Sequence, residues 1–329
     1  MRNRVLSGIR ATGRLHLGNY MGAVKGMLEL QNRVEYETLY MVADAHTLTT
    51  PYNVEELARN RREVVLDYLA AGIDPSKSTL FLQSMVPQHF ELLFYFSAVT
   101  TIARMQHLPT FKDKVRQYPQ NTTMALLNYP ILMAADILVY KANLVPVGLD
   151  QEPHLEVARE TARKMNATYG TNLPEPQRFA TEGGYVPSLT GEGKMSKSVS
   201  GSYINLTDDL DTIKSRLATT PTDSGKGEVV PVEGGVANLL TLIELFEGKE
   251  RRKEYEAEYL SSGIRYQGLK TELAEAIFNE IKPIQEKRQE LENNPSYVDK
   301  VIISGAQKAQ SLAQETLNEV KQKIGLGEI

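Results

Sequence analysis

Two lysines three positions apart, Lys194 and Lys197, lie in Gly193-Lys194-Met195-Ser196-Lys197-Ser198, a stretch of small and flexible residues preceded by Gly191. A loop of that composition can close a pair of ammonium groups on a polyanion. The charge it carries suits a pyrophosphate that develops as a bond to an α-phosphate breaks. Almost a whole domain upstream, Leu6-Ser7-Gly8 through Leu15-His16-Leu17-Gly18-Asn19-Tyr20 forms a glycine-punctuated turn entering a helix. Such a turn presents backbone N–H groups to phosphate. Gly8, Gly13 and Gly18 also satisfy plain turn geometry, and a lone His16 is as readily structural, so the turn gains a phosphate reading only beside the lysine loop.

Tyr129, Met133, Asp136 and Tyr140 follow i, i+4, i+7 and i+11 spacing, which puts them on one side of a helix. Pro130 is a natural first-turn residue, so the spacing predicts that helix over 130–140. Asp136 is then an acid in an otherwise apolar wall, Ile131 to Leu138, and a buried carboxylate needs a donor. That donor is either a neighbouring Arg or Lys or an N–H of a ligand. In Gly148-Leu149-Asp150-Gln151-Glu152-Pro153-His154, Asp150 is a credible helix N-cap with Pro153 in the first turn. The same turn lies where a sheet's carboxyl edge would meet a ribose or an ammonium group. The five histidines show no metal-ligand spacing, so no protein metal site is expected.

The elements that must position these groups are legible as alternating patterns. Strand-like segments at 3–9, 38–43 and 79–83 alternate with helical periodicity over 17–34 and 53–71. Connections of this length imply right-handed crossovers and a parallel sheet, with ligands at the carboxyl ends of the strands. Asp44 and His46 follow the second strand and Gln83 ends the third, so all three should rim that crevice. The pattern turns helical from 87 to 140, with a basic interruption from Arg104 to Arg116. A short strand at 144–147 and a helix from 151 to 165 follow. Residues 170–202 are rich in Gly, Pro and Ser and read as a linker carrying the lysine loop. Beyond Leu206 only helices are expected, at 207–217, 236–247, 250–261, 267–291 and 296–323. The fold class expected is α/β: a parallel-sheet domain over 1–204 that includes the lysine loop, and an all-helical domain over 205–329.

Composition narrows the function classes. The chain has 329 residues, enough for both domains, with 41% apolar and 24% charged residues as in ordinary globular proteins. A formal net charge of -4 argues against indiscriminate polyanion binding and confines any nucleic-acid contact to a local basic patch. The absence of cysteine excludes disulfides, thiolate metal sites and iron–sulfur clusters, and is compatible with a cytoplasmic location. The longest apolar run, Ala125 to Leu138, is broken by Asn128, Pro130 and Asp136, so no membrane span is expected. Met1-Arg2-Asn3-Arg4 runs straight into a strand, and no signal peptide is expected.

Together these residues resemble the class I aminoacyl-tRNA synthetases, and closely the bacterial-type tryptophanyl members. His16-Leu17-Gly18-Asn19 is similar to the first class signature, with Asn19 where many members have a second histidine. Lys194 to Ser198 matches the second signature unchanged. Pro130 to Leu138 resembles the tryptophan-specificity helix, and Gly148 to His154 the ribose- and amine-binding turn. Similarity at Thr222-Asp223-Ser224, Asn238-Leu239-Leu240 and Lys282-Pro283-Ile284 extends it over essentially the whole chain. The resemblance implies that 1–204 is a Rossmann-like catalytic domain and 205–329 an anticodon-binding domain, in a cytoplasmic homodimer that activates L-tryptophan with ATP and Mg²⁺, then charges tRNA(Trp) across the subunit boundary. It implies that Asn19, Lys112, Lys194 and Lys197 are catalytic. ATP would be contacted by Arg10, Ala11, Thr12, His16, Gly18, Asn19, Gly148, Leu149, Asp150, Val186, Lys194, Met195, Ser196, Lys197 and Ser198. Asp136 would take the indole N–H, Tyr129 and Gln151 the α-ammonium, with Met133 and His46 beside them. Where many relatives have Gln-Pro this chain has Arg10-Ala11, and an arginine there suits an α-phosphate. Arg104, Lys112, Lys114 and Arg116 are candidates for the tRNA acceptor end, and the helical domain for the anticodon. No inserted editing domain is expected in this length. The alternatives are the tyrosine enzyme, which shares both signatures, a non-catalytic tryptophan-sensing or RNA-binding paralogue, and a small-molecule ligase with an adenylate intermediate.

Overall fold

In the computed structural model, which describes residues 3–179, 185–197 and 199–327, β1 (Asn3–Arg10), β2 (Tyr36–Ala43) and β3 (Ser78–Leu82) carry runs of consecutive buried residues rather than an alternation. That is the mark of strands covered on both faces. With β4 (Leu144–Pro146) and β5 (Gln177–Phe179) they form one sheet in the order β3-β2-β1-β4-β5, every pair parallel. The chain winds outward from β1 to β3 and then restarts on the other side of β1 with β4. The switch point between β1 and β4 opens a crevice at the carboxyl ends of the strands.

The first crossover is a helical turn, α1 (Leu17–Asn19), a π-helical turn, Tyr20–Val24, and α2 (Lys25–Gln31). The second is α3 (Val54–Ala70), whose cap Asn53 accepts from Glu56 N at 2.9 Å and which gives way to Gly72 in the left-handed region. Between β3 and β4 lie α4 (Gln88–Ser97), α5 (Ile102–Gln106), α6 (Pro109–Gln117) and α7 (Met124–Leu138). After β4 comes α8 (Glu152–Tyr169), closed by Gly170 at φ 68°. The chain ends in α9 (Leu210–Ala218), α10 (Gly234–Glu247), α11 (Lys249–Leu260), α12 (Tyr266–Glu292) and α13 (Pro295–Lys323).

Two details depart from the sequence reading. The helix expected to begin at Pro130 begins at Met124, capped by Thr123, and Pro130 sits buried inside it. The stretch 170–202, expected to be linker throughout, contributes the edge strand β5. One apolar core joins α2 and α3 to α9 through α12, and a second joins α4, α7 and α8 to α13. α13 thus returns to the sheet. It lies along the edge strand β3 so closely that a Cβ on Gly305 would fall 1.8 Å from the Leu80 carbonyl oxygen. Among the described residues no helix is long and apolar enough to cross a membrane.

Candidate active site

The switch point holds a cavity of about 360 Å³. Its walls are Leu6, Ser7, Gly8 and Arg10 from β1, Met41 and Ala43 from β2, Thr110 and Lys114 from α6, and Tyr129, Met133 and Asp136 from α7. His46, Val145, Val147, Gln151 and His154 also line it, with Thr49, Thr50, Leu126 and Ile137. The helix face read from the sequence spacing therefore does face the crevice, although α7 starts two turns early.

Asp136 is 1% exposed yet borders the cavity. Its donors are neither Arg nor Lys. Oδ1 accepts from Gln83 Nε2 at 2.8 Å and from His89 Nδ1 at 2.5 Å, and Oδ2 accepts from His46 Nε2 at 2.8 Å. His89 Nε2 in turn accepts from the Tyr140 hydroxyl at 2.7 Å, because Nδ1 must carry the proton it gives the carboxylate. Burial pushes the Asp136 carboxyl up, but the bonds from His46 and His89 outweigh it and hold the pKa at about 2. The cavity floor is thus a fixed anion.

The opposite wall is a hydrogen-bonded chain. Tyr129 OH lies 2.8 Å from Thr110 Oγ1 and 2.6 Å from His154 Nε2, and Thr110 Oγ1 is itself 2.8 Å from His154 Nε2. His154 Nδ1 meets Gln151 Oε1 at 3.0 Å, and Gln151 Nε2 donates to Asp150 Oδ2 at 2.8 Å. Asp150 does not cap α8, whose cap is Gln151; its carboxylate faces Lys194 Nζ at 3.6 Å.

Lys197 reaches the other side of the crevice. Its Nζ donates to the carbonyls of Arg14 and Thr12, the latter at 3.4 Å. Gly13 is at φ 108°, and a Cβ there would come within 3.0 Å of that ammonium, so turn and lysine fit only without a side chain at 13. The lysine loop is held by Met195 N donating to Val186 O at 3.0 Å and by the Pro187–Lys194 bridge. Met195 is buried against Gly18. Ser196 N donates to Ser202 Oγ at 3.2 Å, and Ser198 lies outside the described residues. His16 is buried, its N donates to Asn19 Oδ1 at 3.2 Å, and among the described residues its Nδ1 has no partner. Burial, aided by Lys197, pushes the His16 imidazole down to about 4.

Arg10 stands in the cavity wall, Ala11 is buried, Thr12 and Gly148 lie at the surface, and Leu149 is 72% exposed. Lys112, expected to reach the ATP phosphates, is exposed on α6 and does not line the cavity; Lys114 does. Burial and the nearby Arg10 push the Lys114 ammonium down. Arg104 is held by Glu160 through Nε at 2.9 Å and Nη2 at 3.0 Å, whereas Lys112 and Arg116 face solvent. The charge run at 249–253 is an ion-paired face, with Arg251 on Glu272, Arg252 on Glu244 and Lys253 on Glu250.

The first-signature turn is braced from the helical half. Asp67 Oδ2 accepts from Leu15 N at 2.5 Å and Asp67 Oδ1 from Arg288 of α12. Glu63 accepts from Arg288 Nη2 and from Arg14 Nε, both at 2.6 Å. Residues 204–206 pair with the turn through Leu17 N to Ile204 O at 2.8 Å and Leu206 N to Leu15 O at 3.1 Å. The sequence reading missed His89, Thr110 and this brace, and named His154 only as the end of its turn. A histidine at 89, three and seven residues before Leu92 and Phe96 on one helix face, was the available signal for the first.

A family model described as tRNA synthetases class I (W and Y) matches residues 1–282. The chain belongs to this family. As a synthetase chain it is 39% identical, over 98% of its own length and 98% of the relative's, to the tryptophan–tRNA ligase of Porphyromonas gingivalis. The crystal structure of the Mycoplasma pneumoniae tryptophanyl-tRNA synthetase is similar with a TM-score of 0.87 and 31% identity, covering 99% of both chains. That of the Campylobacter jejuni enzyme, complexed with ADP and tryptophan, is similar with a TM-score of 0.84 and 33% identity, covering 98% of this chain and all of the other. The architecture, with its parallel sheet and C-terminal helices, is that of class I synthetases.

Proposed function

We infer that the protein is a tryptophan–tRNA ligase, which joins L-tryptophan to ATP as tryptophanyl-adenylate and transfers the aminoacyl group to the 3′-terminal adenosine of tRNA(Trp). The observation that carries this is the fixed carboxylate of Asp136 at the floor of an apolar cavity in the switch point, where an indole N–H finds an acceptor. Whole-chain relatives at 36 to 40% identity bear the same activity in their names, which favours tryptophan over the tyrosine alternative.

The tryptophan carboxylate attacks the α-phosphorus of ATP and pyrophosphate leaves, so no side-chain nucleophile is needed. The protein supplies alignment and neutralisation. Lys194 and Lys197 exchange Asp150 and the carbonyls of Thr12 and Arg14 for phosphate oxygens as nucleotide enters. Neutral His16, with a buried nitrogen to spare, contributes a hydrogen bond without adding charge. Mg²⁺ is assigned to the phosphates of the nucleotide, where it would neutralise charge on the leaving pyrophosphate. Lys114, beside Arg10 in the cavity wall, takes the third cationic role for which Lys112 was the sequence candidate, and Lys112 and Arg116 are left to the tRNA.

Amino-acid-dependent ATP–pyrophosphate exchange, followed by charging of bulk tRNA, tests the whole. Tryptophan should support exchange and tyrosine should not; exchange with tyrosine alone would sink the assignment. In the same assay Lys114→Ala is expected to lose about 10²-fold in kcat, while Lys112→Ala keeps exchange and weakens charging. Equal losses in exchange would return the role to Lys112.

The working unit is proposed to be a homodimer. α4 and the start of α5 expose Phe90, Phe94 and Ile102, with Phe94 74% accessible, an apolar surface that isolated monomers seldom leave open. Phe94→Asp should shift the sedimentation mass from twice the chain to the chain itself; an unchanged mass would place the interface elsewhere.

A further inference from the structure

The binding reading above assigns Tyr129 and Gln151 to the ammonium of the amino acid, which requires both to present acceptors. Either could fail to do so. A phenol can turn its hydrogen into the cavity, and a carboxamide can show its NH₂. We propose that His154 is the positioning residue that fixes the polarity of both, carrying it from the carboxylate of Asp150 to the phenol of Tyr129; the proposal rests on the functional reading above.

The polarity follows from what each atom is able to do. An ionised carboxylate has no hydrogen to give, so the Gln151 group 2.8 Å from Asp150 Oδ2 is the amide nitrogen. That turns Gln151 Oε1 to His154, and an oxygen 3.0 Å from Nδ1 demands the Nδ1–H tautomer. A neutral ring protonated on Nδ1 has a bare Nε2. Nε2 is approached by two hydroxyls, Tyr129 at 2.6 Å and Thr110 at 2.8 Å, which are themselves 2.8 Å apart. Only two arrangements satisfy that triangle. Tyr129 donates to the ring and Thr110 to Tyr129, or Thr110 donates to the ring and Tyr129 to Thr110. In both, the phenolic hydrogen is spent on His154 or Thr110 and at least one lone pair of the oxygen remains for an ammonium. The second lone pair of Gln151 Oε1 is likewise open.

Neutrality of the ring is secured by its surroundings. His154 is buried, and burial pushes its imidazole down to about 4 although Asp150 pulls it up; His46, on the turn after β2, opposes a second positive charge. The other groups that face it are Tyr129 and Thr110, neither of them charged. An imidazolium would put a hydrogen on Nε2, displace one of the hydroxyl hydrogens and crowd the ammonium with another cation. The chain also ends on Lys194 at 3.6 Å from Asp150, so the loop that meets pyrophosphate and the group that orients the amino acid share one carboxylate.

The experiment compares L-tryptophan with indole-3-propionate, which keeps indole and carboxylate and lacks the amine. The protein has no tryptophan of its own, so the fluorescence of either ligand reads binding directly. Wild type should prefer L-tryptophan. His154→Leu is expected to lower tryptophan affinity about 10- to 100-fold, the range of a hydrogen bond to a charged group, and to leave indole-3-propionate unchanged. His154→Asn, which keeps a donor for Gln151 but offers Tyr129 nothing, should fall between. Asp150→Asn, more surface-exposed and nearly isosteric, frees the Gln151 amide to turn and should erode the same preference if the leucine variant does not fold. Equal weakening of both ligands, or an unaltered preference in His154→Leu and Asp150→Asn, would overturn the role of His154 alone. Wild type that binds neither ligand would overturn the functional reading and this inference with it.

Discussion

Asp136→Asn is expected to cost about 10³-fold in kcat/KM for tryptophan while ATP affinity stays near wild type, because a site built around a buried hydrogen-bonding group discriminates by leaving that group unpaired. The carboxylate serves Gln83, His89 and His46 as well as the ligand. An asparagine there has one acceptor oxygen and turns an NH₂ on donors that already point inward. Asp136→Ala removes every acceptor, so it should lose more activity and also destabilise the fold by about 1–3 kcal/mol for each buried donor left unmet. Tryptophan and ATP titrations on the same variants check the selectivity, and parallel loss of both ligands would reject it. The pH dependence has a defined sign. A carboxyl held at about 2 in the folded chain contributes fully above its unfolded value, and that stability drains away as pH falls from about 3.9 towards 2.

Arg288→Met should destabilise the protein by about 3–5 kcal/mol, the range found when one member of a buried ion pair is removed. Arg288 is 4% exposed and serves Asp67, Glu63 and Glu292 at once. Its loss leaves Asp67 with the Leu15 amide as hydrogen-bond donor and only the more distant charge of Lys197 to balance it. Arg288→Met with Asp67→Asn should recover much of the deficit, since the amide keeps an acceptor for Leu15 N and needs no cation. Urea denaturation of the two variants measures this, and a loss under about 1 kcal/mol for the single variant would show that the pair behaves like a surface one. The cycle has a functional side too. Leu15 precedes His16, so a variant that unfolds late but binds ATP poorly has lost the brace rather than the core.

What the sequence disclosed depended on whether the determining contact was local. β1, β2 and β3, and the helices after 205, follow from residue patterns that burial imposes on their own segments. β5 has one exposed and two half-exposed residues and no pattern, and it exists because β4 offers an open edge. Pro130 misled because a proline is a start signal only when nothing upstream competes; Thr123 caps first and the helix runs through. Lys112 was named for the phosphates by family resemblance, whereas the phase of α6 puts Lys114 in the cavity wall. Thr110 and Lys114 are four apart and share the cavity face, while a residue two positions from either points elsewhere. Asp136 was readable as an acid in an apolar wall, but its partners come from the turns after β2 and β3 and from α4, which no spacing along α7 encodes.

The seat of Gly305 against Leu80 bears on how this enzyme can be dissected. β3 ends the sheet, and a bare parallel edge is a template on which stray chains assemble. α13 is the shield over it, although it is separated from its client by more than two hundred residues of chain. A nascent or truncated polypeptide that stops after the nucleotide-binding half would emerge with that flank bare. A fragment without the C-terminal helices is therefore expected to self-associate through β3.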